Sequence, residues 1–209
     1  MIDRRELLID GPESAPRVVL AHGAGASMDS PFLQRMAQGL AAGGLCAVRF
    51  EFPYMKRRRT GGRSGAPDPP RVLQDRWLSV IEQLGQPEKL VIGGKSLGGR
   101  IASMIADEAG VAGLVCLGYP FHPPGRPEKL RTAHLVGLRT PALIVQGMRD
   151  PFGTPAEIGT LDLSASIRTT FLEDWDHSFK PRVRSGRTLE QNLEEAIATV
   201  TEFVNGLQF

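Results

Sequence analysis

The chain has 209 residues, of which 41% are hydrophobic and 23% are charged, a balance typical of one globular domain spanning residues 1–209. Its net charge of +2 gives no indication of nucleic-acid or membrane binding. The charged start leads into no apolar signal core, and no stretch approaches the roughly 20 apolar residues of a membrane span, so we expect a cytoplasmic protein.

Strand-type segments recur along the chain with helix-type segments between them. The predicted strands cover 17–21, 45–52, 89–93, 111–117, 142–146 and 167–172. Most of them are apolar throughout rather than alternating, which is typical of strands covered on both faces. The alternation with helices predicts an α/β fold with a doubly wound, mostly parallel sheet.

The helices are indicated by capping residues and apolar periodicity. Ser30 and Pro31 begin the first helix, which Gly43 ends, and Asp68 with Pro69 begins the second. Further predictions are a helix over 97–105, short helices around 128–138 and near 155–161, and a closing helix that a capping box of Thr188 and Gln191 begins. Only the loops 53–68 and 119–128 are long enough to cover a site, so no separate cap domain is expected.

The two cysteines, Cys46 and Cys116, lie in strand-type runs that the predicted fold places three strands apart. That separation is about 14 Å, which is too far for a disulfide bond. We interpret both as small buried hydrophobic residues of a reducing compartment. Neither has metal-ligating neighbours in the sequence, and we predict no metal site and no cofactor.

The segment Gly94-Lys95-Ser96-Leu97-Gly98 lies between a predicted strand and a predicted helix. This Gly-x-Ser-x-Gly pattern in a strand–turn–helix context is typical of a serine nucleophile held on a strained turn. Glycine at 94 and 98 avoids side chains that would clash with the strand and helix. A phosphate-binding P-loop is excluded because Lys89 stands where its first glycine would be.

A serine nucleophile needs a base, and His177 is the best placed of the four histidines because it follows the last predicted strand. We interpret His122 as a loop residue that lines the pocket at most. His134 is expected to be a surface or partly buried helix residue. The side chain of His22 is expected to shape its own loop by hydrogen bonding.

The acid that orients the base is predicted to be Asp150, which ends the strand before the histidine loop. The order serine, acid, histidine is the order found in α/β hydrolases. Asp174 and Asp176 are rivals, but they share the loop of His177 and are poorly placed to reach its outer ring nitrogen. The alternative interpretation of Asp150 is a turn residue before Pro151.

The oxyanion of an acyl-transfer intermediate needs two N–H donors. One is predicted to be the amide of Leu97, directly after Ser96. The other is predicted to come from the loop after the first core strand, through Ala24.

Basic residues concentrate in two loops that leave the same edge of the predicted sheet. We call them the basic rim, and they hold nine of the chain's 25 Lys and Arg residues: Lys56, Arg57, Arg58, Arg59, Arg63, Lys180, Arg182, Arg184 and Arg187. Two interpretations stay open: solvated loops without a role, or a surface that attracts an anionic substrate or an acidic partner. Lys95 adds a charge beside the serine, or pairs with an acid such as Glu51.

Five motifs in order carry a family resemblance: 22–25 (His-Gly-Ala-Gly), 49–54, 93–100, 146–150 and 176–179. The chain resembles small, lidless α/β hydrolases of the bacterial dienelactone-hydrolase-like set. That set is similar to the hydrolase-like subunit of a eukaryotic histone acetyltransferase complex and to a testis-expressed relative. The resemblance implies a fold and a catalytic triad but no substrate, and dienelactone hydrolases proper use cysteine where this chain has Ser96.

These observations together predict a Ser-His-Asp hydrolase that cleaves a small carboxylic ester or thioester through an acyl-enzyme intermediate. Ser96 would attack, His177 would transfer the proton, and Asp150 would orient His177. No nucleic-acid or membrane partner is expected. The alternative hypothesis is a non-catalytic interaction module on the same fold that binds an acidic partner through the basic rim.

Overall fold

The computed structural model describes residues 6–61 and 65–209. Seven strands form one sheet in the order β1-β3-β2-β4-β5-β6-β7. Their bounds are β1 Leu7–Asp10, β2 Arg17–Ala21, β3 Cys46–Phe50, β4 Leu90–Lys95, β5 Gly113–Leu117, β6 Ala142–Gly147 and β7 Ile167–Leu172. Strand β1 pairs antiparallel with β3, and the other neighbours are parallel. The predicted fold class is confirmed.

Helices cover both faces of the sheet. They are α1 Pro31–Ala42, α2 Pro53–Arg59, α3 Pro70–Leu84, α4 Leu97–Ser103, α5 Ala106–Ala109, α6 Pro155–Ile158 and α7 Leu189–Asn205. Helices α1 and α7 pack into the core on one face, and α3 and α4 pack into the core on the other. Side chains such as Trp77 and Met36 are fully buried there. Each large apolar side chain buried in this way contributes about 1.5–3 kcal/mol to folding.

The continuous apolar runs behave as expected for strands with covered faces. Strands β3, β5 and β6 are buried along their whole length, whereas edge strand β7 is partly exposed at most positions. Cys46 and Cys116 are both free and buried, on β3 and β5, three places apart in the sheet. The prediction that both cysteines are buried and unpaired is confirmed.

Several features of the structure differ from the predictions. The predicted loop after β3 contains helix α2. Pro53 at its first position presets the helical φ, and the basic residues of its last turn interact favourably with the partial negative charge at the carboxyl end of the helix. The predicted helix at 128–138 is only the 3₁₀ turn Ala133–Leu135. Ser30 precedes α1, but its side chain makes no capping hydrogen bond. Strand β1 was not predicted, because four residues are too short for a clear pattern.

The capping box of Thr188 and Gln191 is present and begins α7, as predicted. No helix among residues 6–61 and 65–209 is long and apolar enough to cross a membrane. The carboxyl ends of the parallel strands β2, β4, β6 and β7 point to one edge of the sheet, where open α/β sheets carry their ligand sites.

Candidate active site

The turn between β4 and α4 holds Ser96 in a strained backbone conformation. Its φ is 49° and its ψ is −110°, a region that costs a non-glycine residue about 1–3 kcal/mol. A β-carbon at Gly94 or Gly98 would lie 2.1 Å or 2.4 Å from the carbonyl oxygen of Ala21. Both glycines are therefore required by close approach to the neighbouring strand β2, and the turn is fixed by that strand.

The structure brings the predicted nucleophile, base and acid together in one chain of hydrogen bonds. His177 Nε2 lies 2.9 Å from Ser96 Oγ, and His177 Nδ1 lies 2.7 Å from Asp150 Oδ2. Asp150 is buried, and its other carboxylate oxygen accepts a 2.9 Å bond from the Phe152 amide. The Phe152 ring packs on the imidazole with centroids 4.1 Å apart. The Asp150 carboxylate therefore bonds on one side to the His177 ring and on the other to the amide of its own turn.

The two rival acids have other partners. Asp176 Oδ1 accepts bonds from the amides of Ser178 at 2.7 Å and Lys180 at 3.0 Å, so it shapes the histidine loop. Asp174 accepts a bond from the Arg182 amide at 2.6 Å and pairs with the Arg182 guanidinium. Neither carboxylate contacts the His177 ring.

The remaining histidines lie outside this chain of bonds. His122 is buried and faces Glu157, with Nε2 3.6 Å from its carboxylate, and it does not line the cavity beside Ser96. His134 Nε2 lies 2.8 Å from Ser103 Oγ, which makes a second serine–histidine pair. Ser103, however, lies in the last turn of α4 and donates to its own helix, and within the described ranges no carboxylate bonds to the His134 ring.

The loop after β2 lies beside the serine. A β-carbon at Gly23 would lie 3.9 Å from Ser96 Cβ. The Tyr54 hydroxyl donates to the carbonyls of Gly23 at 3.3 Å and Ala24 at 3.2 Å. These bonds fix the Ala24 carbonyl on the side of Tyr54. Leu97, the first residue of α4, has an amide N–H with no acceptor inside its own helix.

His22 shapes this loop, as predicted. Its Nε2 accepts a 3.1 Å bond from the Phe52 amide, so the proton is on Nδ1, which donates to the Gly23 carbonyl at 2.7 Å. Burial lowers the pKa of His22, so the ring is neutral and stabilises the loop through these two hydrogen bonds.

A cavity of about 420 Å³ opens beside Ser96. It is lined by Gly23, Ala24, Gly25, Ala26, Ser30, Pro31, Phe32, Leu33, Lys95, Ser96, Phe152, His177 and Ser178. The walls are mostly apolar, and Lys95 is the one Lys, Arg, Asp or Glu residue among these lining residues. A second cavity, of about 490 Å³, lies at the amino ends of β2 and β4. None of the predicted site residues lines it, so we assign it no catalytic role.

The ammonium group of Lys95 is buried behind the site, although part of its stem is exposed to the cavity. Within the described part of the chain, Nζ has no hydrogen-bond partner, and it lies 5.2 Å from the Phe179 ring centroid. A β-carbon at Gly118 would lie 3.0 Å from Nζ and 3.5 Å from both Asp150 Oδ2 and His177 Nδ1, so the three groups surround one small space. Burial lowers the pKa of Lys95 to about 8.

The suggested pairing of Lys95 with Glu51 is wrong. Glu51 instead accepts a 2.7 Å bond from Arg59, which also pairs with Asp29 at 2.8 Å. No sequence pattern predicts that Lys95 leaves Glu51 to Arg59, because this depends on the direction that the long Lys95 side chain takes from the strained turn.

Most of the basic rim is paired with carboxylates. Besides Arg59, the pairs are Lys56 with Glu6, Arg57 with Asp68, Arg182 with Asp174, and Arg187 with Glu195. Arg58 stacks over Tyr54 and donates to backbone carbonyls, and Arg63 lies outside the described residues. Five of the nine rim charges are therefore balanced locally.

A family model described as an alpha/beta hydrolase domain matches residues 14–205. The chain belongs to this family. Among solved structures, this α/β hydrolase is similar to an α/β serine hydrolase homologue from Coxiella burnetii, with 20% identity, a TM-score of 0.68, and coverage of 94% of this chain and 89% of that chain.

Two further structures are similar to this α/β hydrolase over nearly the whole chain. One is a lidless α/β serine hydrolase from Xanthomonas campestris, at 19% identity, TM-score 0.67, and coverage of 95% and 87% of the two chains. The other is a monoacylglycerol lipase from Paleococcus ferrophilus, at 14% identity, TM-score 0.70, and coverage of 94% and 98%. At these identities the likeness shows the fold.

Proposed function

We propose that this α/β hydrolase is a serine hydrolase that cleaves a small, uncharged carboxylic ester or thioester. The observation that carries the proposal is the unbroken chain of hydrogen bonds from Asp150 through His177 to Ser96, which ends in an apolar cavity. A strained serine, a base within reach and a buried acid on the base's other nitrogen are the features that nucleophilic acyl transfer needs.

In the proposed mechanism, Ser96 Oγ attacks the substrate carbonyl while its proton passes to His177 Nε2. The Asp150 carboxylate keeps the proton of His177 on Nδ1 and stabilises the imidazolium that forms. The amides of Leu97 and Ala24 hold the oxyanion. The protonated leaving group departs, the acyl group stays on Ser96, and a water activated by His177 then releases the acid.

The cavity supports an uncharged acyl group. Its walls include Ala26, Pro31, Phe32, Leu33 and Phe152, and a volume of about 420 Å³ is enough for a small ligand. The Lys95 ammonium is buried away from the cavity, and most rim charges have carboxylate partners. Local pairing removes much of the field that would attract an anion, so we favour a neutral substrate over an anionic one.

Labelling with a fluorophosphonate probe tests this function directly. We expect covalent modification of the wild-type protein, with the label located on Ser96 by peptide mass spectrometry. Ser96→Ala should abolish labelling, and His177→Ala should slow it by several orders of magnitude because the base is lost.

The second serine–histidine pair provides a matched control. Ser103→Ala removes a hydroxyl that also bonds to a histidine, yet it should leave labelling at Ser96 intact. A label on Ser103 would overturn the assignment of the nucleophile. Failure of the folded wild-type protein to react would favour the non-catalytic interaction module instead.

A further inference from the structure

The two loops that carry the proposed acid and base lie against each other. The first ends at Asp150, and we call it the acid loop. The second is the irregular segment 173–182, the histidine loop, which carries His177. The amide of Arg149 in the acid loop donates to the Trp175 carbonyl in the histidine loop at 2.8 Å. A side chain placed between these loops can therefore set the distance between acid and base.

The buried carboxylate of Asp174 lies between the two loops. Its Oδ1 lies 3.2 Å from Arg149 Nε, an ion pair without the alignment of a hydrogen bond. The same oxygen accepts a 2.5 Å bond from Arg182 Nε, and Oδ2 accepts a 2.6 Å bond from the Arg182 amide. Asp174 therefore joins the residue directly before Asp150 to the far end of the histidine loop.

The charge of Asp174 allows two arginines to converge on one oxygen atom. Without the carboxylate, Arg149 and Arg182 would repel each other at a partly buried junction, where solvent and salt screen charges poorly. The Arg182 guanidinium lowers the pKa of Asp174 to about 2, so the carboxylate stays ionised throughout the pH range of an esterase assay.

Asp176, two residues further along, is placed differently. Its carboxylate accepts bonds from the amides of Ser178 and Lys180, so these bonds close a turn within the histidine loop. Asp174 has a φ of 56°, a left-handed conformation that both aspartate and asparagine tolerate better than most residues. Asparagine at either position keeps the shape of the side chain and removes its charge, so the two positions form a matched pair for experiment.

We propose that Asp174 is a positioning residue that holds the acid loop against the histidine loop. Its carboxylate acts through Arg149 and Arg182. It thereby keeps the 2.7 Å bond between Asp150 and His177. The inference rests on the proposed function and deepens it, because it names a group that sets the geometry of the triad. A displacement of about 1 Å in such a site can reduce the rate about a hundredfold.

Steady-state kinetics with p-nitrophenyl acetate test the effect on turnover. Asp174→Asn should lower kcat about a hundredfold and leave KM within about twofold, because Asp174 does not line the cavity. Asp176→Asn is the matched control and should stay within about tenfold of the wild-type kcat.

A double variant tests whether Asp174 acts through Arg149. Arg149→Met leaves Asp174 paired with Arg182, and it should lower kcat as Asp174→Asn does because the acid loop loses the same contact. Combining the two substitutions should be no worse than the slower single variant, since the two groups act as a unit. Losses that multiply in the double variant would overturn the proposal.

A readout that needs no turnover separates this inference from the proposed function. Long-range proton–nitrogen correlation spectra show which ring nitrogen of each histidine carries the proton, and His177→Ala identifies the signals of that ring. In the neutral ring we expect the proton on Nδ1, the nitrogen that faces Asp150.

Asp174→Asn should shift both nitrogen signals of His177 towards a mixture of the two tautomers, because the bond to Asp150 is loosened. Asp176→Asn should leave them unchanged. Unchanged His177 signals in Asp174→Asn would overturn the proposal, as would equal losses of kcat in Asp174→Asn and Asp176→Asn.

Discussion

Replacing Lys95 with methionine should stabilise the folded protein at neutral pH. Methionine keeps most of the length of the lysine stem and carries no charge. In the folded protein the ammonium is buried without a hydrogen-bond partner among the described residues, and burial lowers its pKa to about 8 from the ordinary 10.5. The unfolded chain returns the same ammonium to water, where it keeps its ordinary pKa.

The size of the effect follows from the two pKa values of Lys95. A difference of about 2.5 pKa units corresponds to about 3 kcal/mol of folding free energy. The folded pKa is the lower one, so between about pH 8 and pH 10.5 the unfolded chain binds the extra proton and wild-type stability rises with pH. Below about pH 8 the full cost applies. The advantage of the variant should therefore be largest at neutral pH and fall by about 1.4 kcal/mol per unit above pH 8.

Urea denaturation of both proteins at about pH 7 and about pH 10 measures this difference. Lys89→Met is the matched control, because Lys89 is exposed and its replacement should change little at either pH. A variant less stable than the wild-type protein at neutral pH would refute the reasoning. A difference that did not change with pH would refute it as well, since it would show that the Lys95 ammonium is not destabilised by burial.

Two further predictions concern the acid and the turn. Asp150→Asn should lower kcat for p-nitrophenyl acetate by roughly three to four orders of magnitude, because the His177 ring loses its carboxylate partner. Asp176→Asn only loosens its own loop, so its kcat should stay within about tenfold of the wild-type value. Equal losses of kcat in the two variants would contradict the assignment of Asp150 as the acid. Gly98→Ala should lower the free energy of unfolding by at least about 1–3 kcal/mol, because its β-carbon would lie 2.4 Å from the Ala21 carbonyl oxygen. Gly137→Ala, with nothing within 4 Å, is its control, and equal urea midpoints for the two would contradict the steric argument.

The positions of Ser96, Asp150 and His177 were predictable because each follows a strand of the same parallel sheet. The carboxyl ends of such strands meet at one edge, so the sequence order of the strands was enough to group these residues. The glycines at 94 and 98 were also predicted to avoid a clash, but the group they avoid is the carbonyl of Ala21 on β2. The contact with Ala21 depends on which strand lies next to β4 in the sheet, and the sequence does not specify that order.

The electrostatics of the site could not be predicted in the same way. The rim was recognisable as a charge cluster, but Arg59 pairs with Asp29 and Lys56 with Glu6, across long stretches of sequence. Such pairs depend on tertiary packing and leave no local pattern. The buried course of the Lys95 side chain is equally invisible, because the same residue type at a turn is usually solvated.

Helix α2 connects the basic rim with the candidate active site through Tyr54. Tyr54, in its first turn, holds the carbonyls of Gly23 and Ala24, and Arg58 of the same helix stacks on the Tyr54 ring. For protein engineering, the helix is therefore not an independent surface on which substrate preference can be redesigned. A substitution made there to admit a new substrate also moves the loop that is proposed to hold the oxyanion, so selectivity and turnover would have to be optimised together.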